Sequence, residues 1–263
     1  MSGVRIIGVG SVNLDLVAAC DRLPAPGETV TGARFAKYPG GKGANQALAA
    51  RRLGAVVSMI ARVGKDAHAE AALALLREDG VDLSHLVVDE EAATGVALIA
   101  VDAEGENQIV VASGANGKLE PRDVEGVGPA DAVLCQLEVP VAAVEAASRI
   151  DTKLFAINLA PALPVPAGLL ERADLLIVNE GEPNSMVMRC IAVRAWWPRR
   201  SAGREPFSTV LARRSRGCRS MRFRSSIRSG LAIRSAARLP WRWRRAWKKV
   251  LRCALLPVRQ PLR

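Results

Sequence analysis

The sequence of 263 residues lacks the features that mark several protein classes. No apolar run approaches the roughly 18 residues of a membrane-spanning helix, so we expect no integral membrane protein. The first ten residues lack the cationic start, the apolar stretch and the cleavage site of a secretory leader, so none is expected. The five cysteines include no C-x-x-C pair, and their odd number argues against a disulfide framework or a zinc site. This cysteine usage favours a reducing, cytoplasmic location.

Acidic residues are almost missing from the C-terminal segment. Residues 183–263 contain 22 Lys and Arg but one acid, Glu205, and they hold all five tryptophans. Residues 1–182 contain 15 Lys and Arg against 25 Asp and Glu, a net charge of −10. The overall net charge of +11 therefore averages two unlike segments, which need separate interpretations. An apolar fraction of 49% excludes disorder of the chain as a whole.

Residues 1–182 alternate short apolar runs with helical patterns. Strands are predicted at 4–10, 56–63, 132–137, 153–157 and 175–178, and helices at 46–53, 67–78 and 141–149. This alternation predicts an α/β fold with a mostly parallel sheet and helices on both faces. The run at 30–38 and a hairpin of 94–101 with 108–112 do not fit it. They predict a small separate sheet that lies over the main one.

Polar side chains follow several of the predicted strands, at the edge where open α/β sheets bind ligands. Asn13 and Asp15 follow the first strand, Glu138 follows the strand at 132–137, and Asn179 and Glu182 follow the strand at 175–178. An Asn and an Asp two residues apart can hydrogen-bond sugar hydroxyls from one side of an extended chain. The alternative for each is structural, since such residues also form turns and open helices.

The run Gly40-Gly41-Lys42-Gly43 does not match the phosphate-binding P-loop. That motif requires a glycine where Ala36 stands and a Ser or Thr where Gly43 stands. The remaining interpretation is a glycine-rich turn at a helix N-terminus, where backbone N–H groups favour a polar or anionic ligand. A turn with no ligand is the alternative.

Several motifs together resemble the ribokinase branch of the PfkB sugar-kinase family. They are Gly10-Ser11-Val12-Asn13-Leu14-Asp15, Leu23-Pro24-Ala25-Pro26-Gly27-Glu28-Thr29-Val30, Gly40-Gly41-Lys42-Gly43-Ala44-Asn45-Gln46-Ala47, Thr94-Gly95-Val96-Ala97, Gly105-Glu106-Asn107, Ser113-Gly114-Ala115-Asn116 and Gln136-Leu137-Glu138. The pair Asn179 and Glu182 is similar to the family's N-x-x-E motif. The resemblance is nearly continuous over residues 1–182.

The resemblance implies a ribokinase-like α/β core with a small β lid that transfers the γ-phosphoryl group of ATP to a sugar hydroxyl, with D-ribose the expected sugar. It implies that Asn179 lies near the nucleotide phosphates and that Glu182 helps to order Mg²⁺ through water. A monovalent cation such as K⁺ and a homodimer formed through the lid are further implications. The residues that the resemblance assigns to the sugar site are Asn13, Leu14, Asp15, Gly41, Lys42, Gly43, Ala44, Asn45 and Glu138.

The family's G-A-G-D motif, which carries the general base and a phosphate-binding turn, is not present in this chain. No catalytic residue is therefore assigned in frame, and the C-terminal part of the fold is expected to be missing or non-native. We expect two parts: a sugar-binding portion with lid segments over 1–182, and a basic, irregular or disordered tail over 183–263.

A shifted reading frame is one explanation of the tail. Permitted codons for Ser226–Arg242, read from the third base of the Ser226 codon, give D-P-V-G-A-G-D-S-F-C-G-A-L-A-V-A. This reading contains the missing motif, and Trp247–Arg259 can be read in the same frame as E-E-G-A-A-L-C-A-S-A-G-A. We hypothesise a frameshift shortly after Glu182, and sequencing of that junction tests it.

Other interpretations take the chain as written. The first part could bind sugar without catalysis. The Arg- and Trp-rich tail could bind nucleic acid through phosphate contacts and stacking, or lie on an anionic membrane, although neither partner is favoured.

Overall fold

A computed structural model describes residues 3–177 of the chain. Its larger sheet, the core sheet, has six strands in the order β10-β9-β8-β1-β4-β5. Every pairing in it is parallel. The prediction of a mostly parallel sheet is confirmed. The strands are β1 (Arg5–Val9), β4 (Val56–Gly64), β5 (Leu86–Asp89), β8 (Ala132–Gln136), β9 (Phe155–Asn158) and β10 (Leu175–Ile177).

Helices cover both faces of the core sheet, as predicted. One apolar cluster contains Ile7, Val133 and Phe155 with residues of α3, α4 and α5, and the other contains Ile6, Leu134 and Ala156 with residues of α1 and α2. Neighbouring residues of one strand enter opposite clusters because side chains alternate along a strand. The helices are α1 (Lys42–Arg52), α2 (Ala67–Glu78), α3 (Pro121–Val124), α4 (Val141–Ala147) and α5 (Ala167–Arg172).

The second sheet, the lid sheet, has four strands in the order β3-β2-β6-β7. The small separate sheet was predicted, but β2 was not, because its first residues were interpreted as a possible polar turn. β2 pairs with β3 antiparallel and with β6 parallel, so it lies at the centre of the lid. The strands are β2 (Asn13–Ala19), β3 (Arg34–Gly40), β6 (Gly95–Val101) and β7 (Asn107–Ala112).

A part-buried polar contact attaches the lid sheet to the core. Asp66 caps α2 by accepting the Ala69 N–H at 2.9 Å, and it also accepts the Thr94 N–H and the Thr94 hydroxyl, both at 2.8 Å. Thr94 in turn accepts the Gly64 N–H at 3.0 Å. Burial alone would raise the pKa of Asp66, but these hydrogen bonds together lower it. The residue before β6 is thereby fixed to the end of β4.

Several elements differ from the sequence-based expectations. α1 begins at Lys42, four residues earlier than the predicted helix at 46–53, because the glycine turn itself passes into the helix. The short elements β5, α3 and α5, and a 3₁₀ helix at Gly114–Lys118, were not predicted. Segments of four to six residues carry too few apolar repeats to show a period. Among the described residues, no helix is long and apolar enough to cross a membrane.

Candidate active site

The site lies where β1 and β8, neighbours in the core sheet, end next to the lid sheet. Ser11 and Asn13 follow β1, Glu138 follows β8, and Lys42 opens α1 after the glycine turn. The carboxyl ends of parallel strands share one edge, so residues 127 positions apart in the chain come into contact there. This is the edge at which the sequence predicted ligand binding.

Glu138 makes three hydrogen bonds at this site. Its Oε1 lies 2.6 Å from the Lys42 Nζ, and its Oε2 accepts the Ser11 hydroxyl at 2.5 Å and the Lys42 backbone N–H at 3.1 Å. The Glu138 side chain is 11% exposed, whereas that of Lys42 is 40% exposed. The carboxylate is therefore held in one orientation, while the ammonium group remains open to a ligand.

The first N–H groups of α1 are already used within the protein. The Gly43 N–H donates to the Ser11 hydroxyl at 3.3 Å, and the Ala44 N–H donates to the Ser11 carbonyl at 2.9 Å. Together with the bond from Lys42 to Glu138, they fill the position that the sequence left open to an anionic ligand. The Glu138 carboxylate is the anion that the positive end of the helix dipole stabilises here.

The glycines of the turn allow backbone to pack against backbone. Gly41 has a φ of 92°, and a Cβ there would lie 2.8 Å from both the Asn13 nitrogen and the Ser11 carbonyl oxygen. A Cβ at Gly43 would lie 2.6 Å from the Gly10 carbonyl carbon. A side chain at either position would push α1 away from the β1–β2 connection and separate Lys42 from Glu138.

Asp15, in lid strand β2, is half-buried and interacts electrostatically with this ion pair. Its pKa is raised to about 6, mainly by burial and in second place by the Glu138 charge, while the Lys42 charge opposes the change. A Cβ at Gly40 would lie 2.3 Å from the Asp15 carboxyl group, so the glycine makes room for it. The site therefore holds two carboxyl groups and one ammonium group, a set suited to hydroxyl ligands.

The other residues assigned to the sugar site lie in different surroundings. Asn13 is 3% exposed and lies on the same face of β2 as Asp15. Leu14 points to the opposite face, where it is 1% exposed in the apolar core together with Ala44. A contact of Leu14 or Ala44 with a sugar would therefore involve the backbone. Asn45 is exposed on the first turn of α1, and its side chain makes no hydrogen bond to the described residues.

Three polar residues of the site were not singled out from the sequence. Ser11 connects the glycine turn to Glu138, and Asn116 bonds to Asn13. The Gln136 Nε2 donates to the Gln46 Oε1 at 2.6 Å, both side chains being buried. All of them lie inside motifs that carried the family resemblance. The motifs of the resemblance also contain the residues assigned to the sugar site, so position in such a motif was the sequence signal that could have identified these three residues.

Asn179 and Glu182, which were predicted to act at the nucleotide phosphates and at Mg²⁺, lie outside the described residues. Over residues 3–177, no group of three or more His, Cys, Asp or Glu side chains could hold a metal ion. The Asp15 and Glu138 carboxyl groups share their site with the Lys42 ammonium group, which does not suit a cation. The described part of the site therefore fits a neutral, hydroxyl-bearing ligand better than a metal.

Comparison with known proteins agrees with this geometry. The model of the pfkB family of carbohydrate kinases matches residues 5–196, somewhat beyond the Glu182 boundary expected from the motifs. A ribokinase of Bacillus subtilis is 39% identical over 186 residues, which are 68% of this chain and 63% of the relative. The chain thus spans less than two thirds of the length of this relative, and 59% of a ribokinase of Haemophilus influenzae.

Solved structures show the same fold. The ribokinase of Thermotoga maritima superposes with a TM-score of 0.61 at 29% identity, covering 68% of this chain and 60% of that one. An Arabidopsis thaliana ribokinase complexed with ribose and ATP gives a TM-score of 0.58 at 27% identity, covering 73% and 68%. The family match extends over more than half of the sequence and includes every residue of the site described above. The chain belongs to the pfkB family of carbohydrate kinases.

Proposed function

We propose that residues 1–182 are the sugar-binding part of a kinase that transfers the γ-phosphoryl group of ATP to a hydroxyl of D-ribose. The observation that carries this proposal is the cluster of Asp15, Lys42 and Glu138 at the sheet edge below the lid. Its carboxylates accept hydrogen bonds from hydroxyl groups and its ammonium group donates them. The ribose- and ATP-bound Arabidopsis relative supports the choice of sugar and nucleotide.

The described residues account for the binding and orientation of the acceptor. Phosphoryl transfer depends on alignment of the two reactants and on neutralisation of the phosphate charge. Glu138 is fixed by Ser11 and by the start of α1, so a hydroxyl bound to it is held in one position. The lid sheet would exclude water from this position, where water would otherwise compete as the phosphoryl acceptor.

The nucleotide side of the reaction is proposed from the resemblance alone. Asn179 would contact the phosphates, and Glu182 would order Mg²⁺, which neutralises phosphate oxygens; K⁺ would serve as an accessory cation. The general base would belong to the G-A-G-D segment that permitted codons for this chain allow in the shifted frame. We infer that the frameshift separates an intact sugar site from its catalytic partner, and that 183–263 has no selected role.

The test compares two proteins: the 263-residue chain and a version whose frame is restored after Glu182. We expect the restored chain to phosphorylate D-ribose with ATP. We expect the chain as written to bind ribose with turnover lower by at least about 10²–10³, the typical effect of losing transition-state charge stabilisation. Calorimetry measures binding and a coupled ADP assay measures turnover. Lys42→Met in the restored chain is the control that shows whether ribose binding and turnover depend on the site described above.

Each outcome decides between the alternatives. Ribose binding without turnover in both proteins supports a non-catalytic sugar-binding remnant. Turnover by the chain as written contradicts the frameshift hypothesis. Binding of DNA by that chain that weakens steeply with salt supports a function of the basic tail.

We also propose that two copies of this chain associate through the lid sheet, in the cytoplasm. The lid exposes several large apolar side chains, which on a monomer typically mark an interaction surface. They are Phe35, Leu98, Ile109, Val110 and Val111, between 46% and 66% exposed. Sedimentation velocity measures the association directly.

A further inference from the structure

Asn116 is a buried asparagine whose amide is fully used. It lies in the 3₁₀ helix that follows lid strand β7 and is 1% exposed. Its Oδ1 accepts the Val12 N–H at 2.9 Å, and its Nδ2 donates to the Val12 carbonyl at 3.0 Å and to Asn13 Oδ1 at 2.7 Å. Its side chain therefore bonds both backbone groups of Val12, as a neighbouring strand would.

The backbone of Val12 fixes which way the Asn116 amide points. An N–H group can only donate, so the Asn116 oxygen must face the Val12 nitrogen. The carbonyl can only accept, so the Asn116 nitrogen must face the Val12 oxygen. The second hydrogen of that nitrogen then points to Asn13. This assignment rests on backbone groups, which cannot exchange roles, and so it holds although oxygen and nitrogen of an amide have similar shapes.

The orientation of Asn116 in turn fixes that of Asn13. Because Asn116 offers a donor, Asn13 must present its oxygen to it, and its own Nδ2 must point away. No group among residues 3–177 accepts a hydrogen bond from the Asn13 Nδ2, and this nitrogen is not among the enclosed, unpartnered side-chain atoms of that region. Within residues 3–177, this nitrogen therefore has two donors available.

Gly95 leaves the space in which the two amides meet. It is the first residue of β6 and lies beside Asn13 in the parallel ladder. A Cβ at Gly95 would lie 2.2 Å from the Asn116 Nδ2 and 2.3 Å from the Asn13 Oδ1. Any side chain there would occupy the site of the hydrogen bond. Gly95 at the start of β6 therefore leaves room for the hydrogen bond that Asn116, in the 3₁₀ helix after β7, donates to Asn13.

We propose that Asn116 is a positioning residue that orients the Asn13 amide so that Asn13 presents hydrogen-bond donors to an acceptor oxygen of the substrate. The inference rests on the proposed function for the identity of the substrate, a sugar. It makes Asn13 selective for a group that can accept a hydrogen bond. Next to it, the carboxyl groups of Asp15 and Glu138 select groups that can donate one.

The test uses Asn116→Asp in the full chain, with Asn107→Asp as the matched control at an exposed position of β7. The new carboxylate has no donor, so Asn13 turns its nitrogen towards it and its oxygen towards the sugar. Ribose hydroxyls can adapt to either orientation, but a monofluorinated ribose cannot, because fluorine accepts weakly and never donates. We expect the affinity for one of the 2- and 3-fluoro analogues, relative to ribose, to fall about tenfold in Asn116→Asp alone. An equal loss for ribose and both analogues would overturn the proposal.

A measurement without ligand separates this proposal from the proposed function. The Asn13 side-chain NH₂ hydrogens should exchange with water rapidly in the original chain and slowly in Asn116→Asp, as seen by ¹⁵N NMR. If this exchange pattern is observed but ribose does not bind, the proposed orientation of the Asn13 amide is supported and the proposed sugar site is contradicted. Slow exchange in the original chain would overturn the orientation. If Asn116→Asp does not fold, Asn13→Asp decides, because it keeps an oxygen for Asn116 and presents an acceptor in place of the two donors. Its affinity for one of the fluoro analogues, relative to ribose, should then fall about tenfold, and an equal loss for all three sugars would overturn the proposal.

Discussion

The core sheet and the lid sheet show two ways of fixing a strand. In the core sheet, every residue of β8 is buried, and apolar side chains enter a cluster on each face. In the lid sheet, every residue of β7 is exposed. The lid is attached to the core by polar contacts, a part-buried one of Asp66 with Thr94 and a buried one of Asn116 with Val12. The core sheet therefore contributes most of the free energy of unfolding. The few residues that join the two sheets determine the geometry of the site.

The largest expected difference between the two regions concerns two phenylalanines. Phe155 in β9 is fully buried, with the Arg172 guanidinium 5.3 Å from its ring centre, whereas Phe35 in β3 is 63% exposed. We expect Phe155→Ala to lower the free energy of unfolding by about 3–5 kcal/mol, the usual loss for a large buried ring. Phe35→Ala should change it by less than about 0.5 kcal/mol in dilute solution. Urea unfolding followed by circular dichroism measures both, and equal losses would contradict the comparison.

A smaller effect is expected on association. Val110 of the lid and Val88 of the core sheet are exposed to similar extents, 66% and 50%. If copies of the chain associate through the lid, Val110→Asp places an unpaired charge in the interface and should weaken association at least about tenfold. Val88→Asp should not change it. Sedimentation velocity at matched concentrations distinguishes the two, and a monomeric original chain would contradict the proposed dimer.

The smallest effect is a pH dependence that originates in the lid. The pKa of Asp15 is raised from 3.8 to about 6, so the folded chain binds this proton more tightly than the unfolded chain. Its stability should therefore fall as pH rises through this interval, and Asp15→Asn should remove the loss. At about pH 7 we expect the variant to be more stable by about 1 kcal/mol, allowing for solvent near this half-buried group.

Sugar binding should change in the opposite direction to stability. The ionised carboxylate accepts hydroxyl hydrogens, so ribose affinity should increase as pH rises through about 6 and should be lost in Asp15→Asn. Asp151→Asn, at an exposed position of the core region, is the matched control and should alter neither property. Thermal unfolding and calorimetry across this pH range measure both. A flat pH profile in the original chain would show that Asp15 does not ionise in this interval.

The core was predictable because burial leaves a pattern in the sequence. Runs such as Val56–Gly64 are apolar almost throughout, as strands covered on both faces require. α2 was predicted with its correct bounds, since Gly80 ends the helical pattern. β2 was missed because its ladder partners, β3 and β6, are distant in sequence and its own residues show no clear alternation of burial.

The site was predictable only as a set of residues at one sheet edge. Asn13, Asp15, Lys42 and Glu138 were identified from their positions after strands and from the family motifs. Their contacts were not, because the bond between Ser11 and Glu138 joins residues 127 positions apart. The interpretation of the α1 N-terminus as an open anion site was incomplete for the same reason, since the carboxylate that fills it comes from the end of β8.

The sequence by itself determined the family, the parallel core and the break in composition after Glu182, because these depend on composition, period and motif. The tertiary structure alone decided how the polar groups of the site are paired. It brought Lys42 to Glu138 and Asn116 to Asn13, and it raised the pKa of Asp15. Hydrogen bonds and desolvation act over a few ångströms, so their outcome depends on which distant segments the fold places in contact.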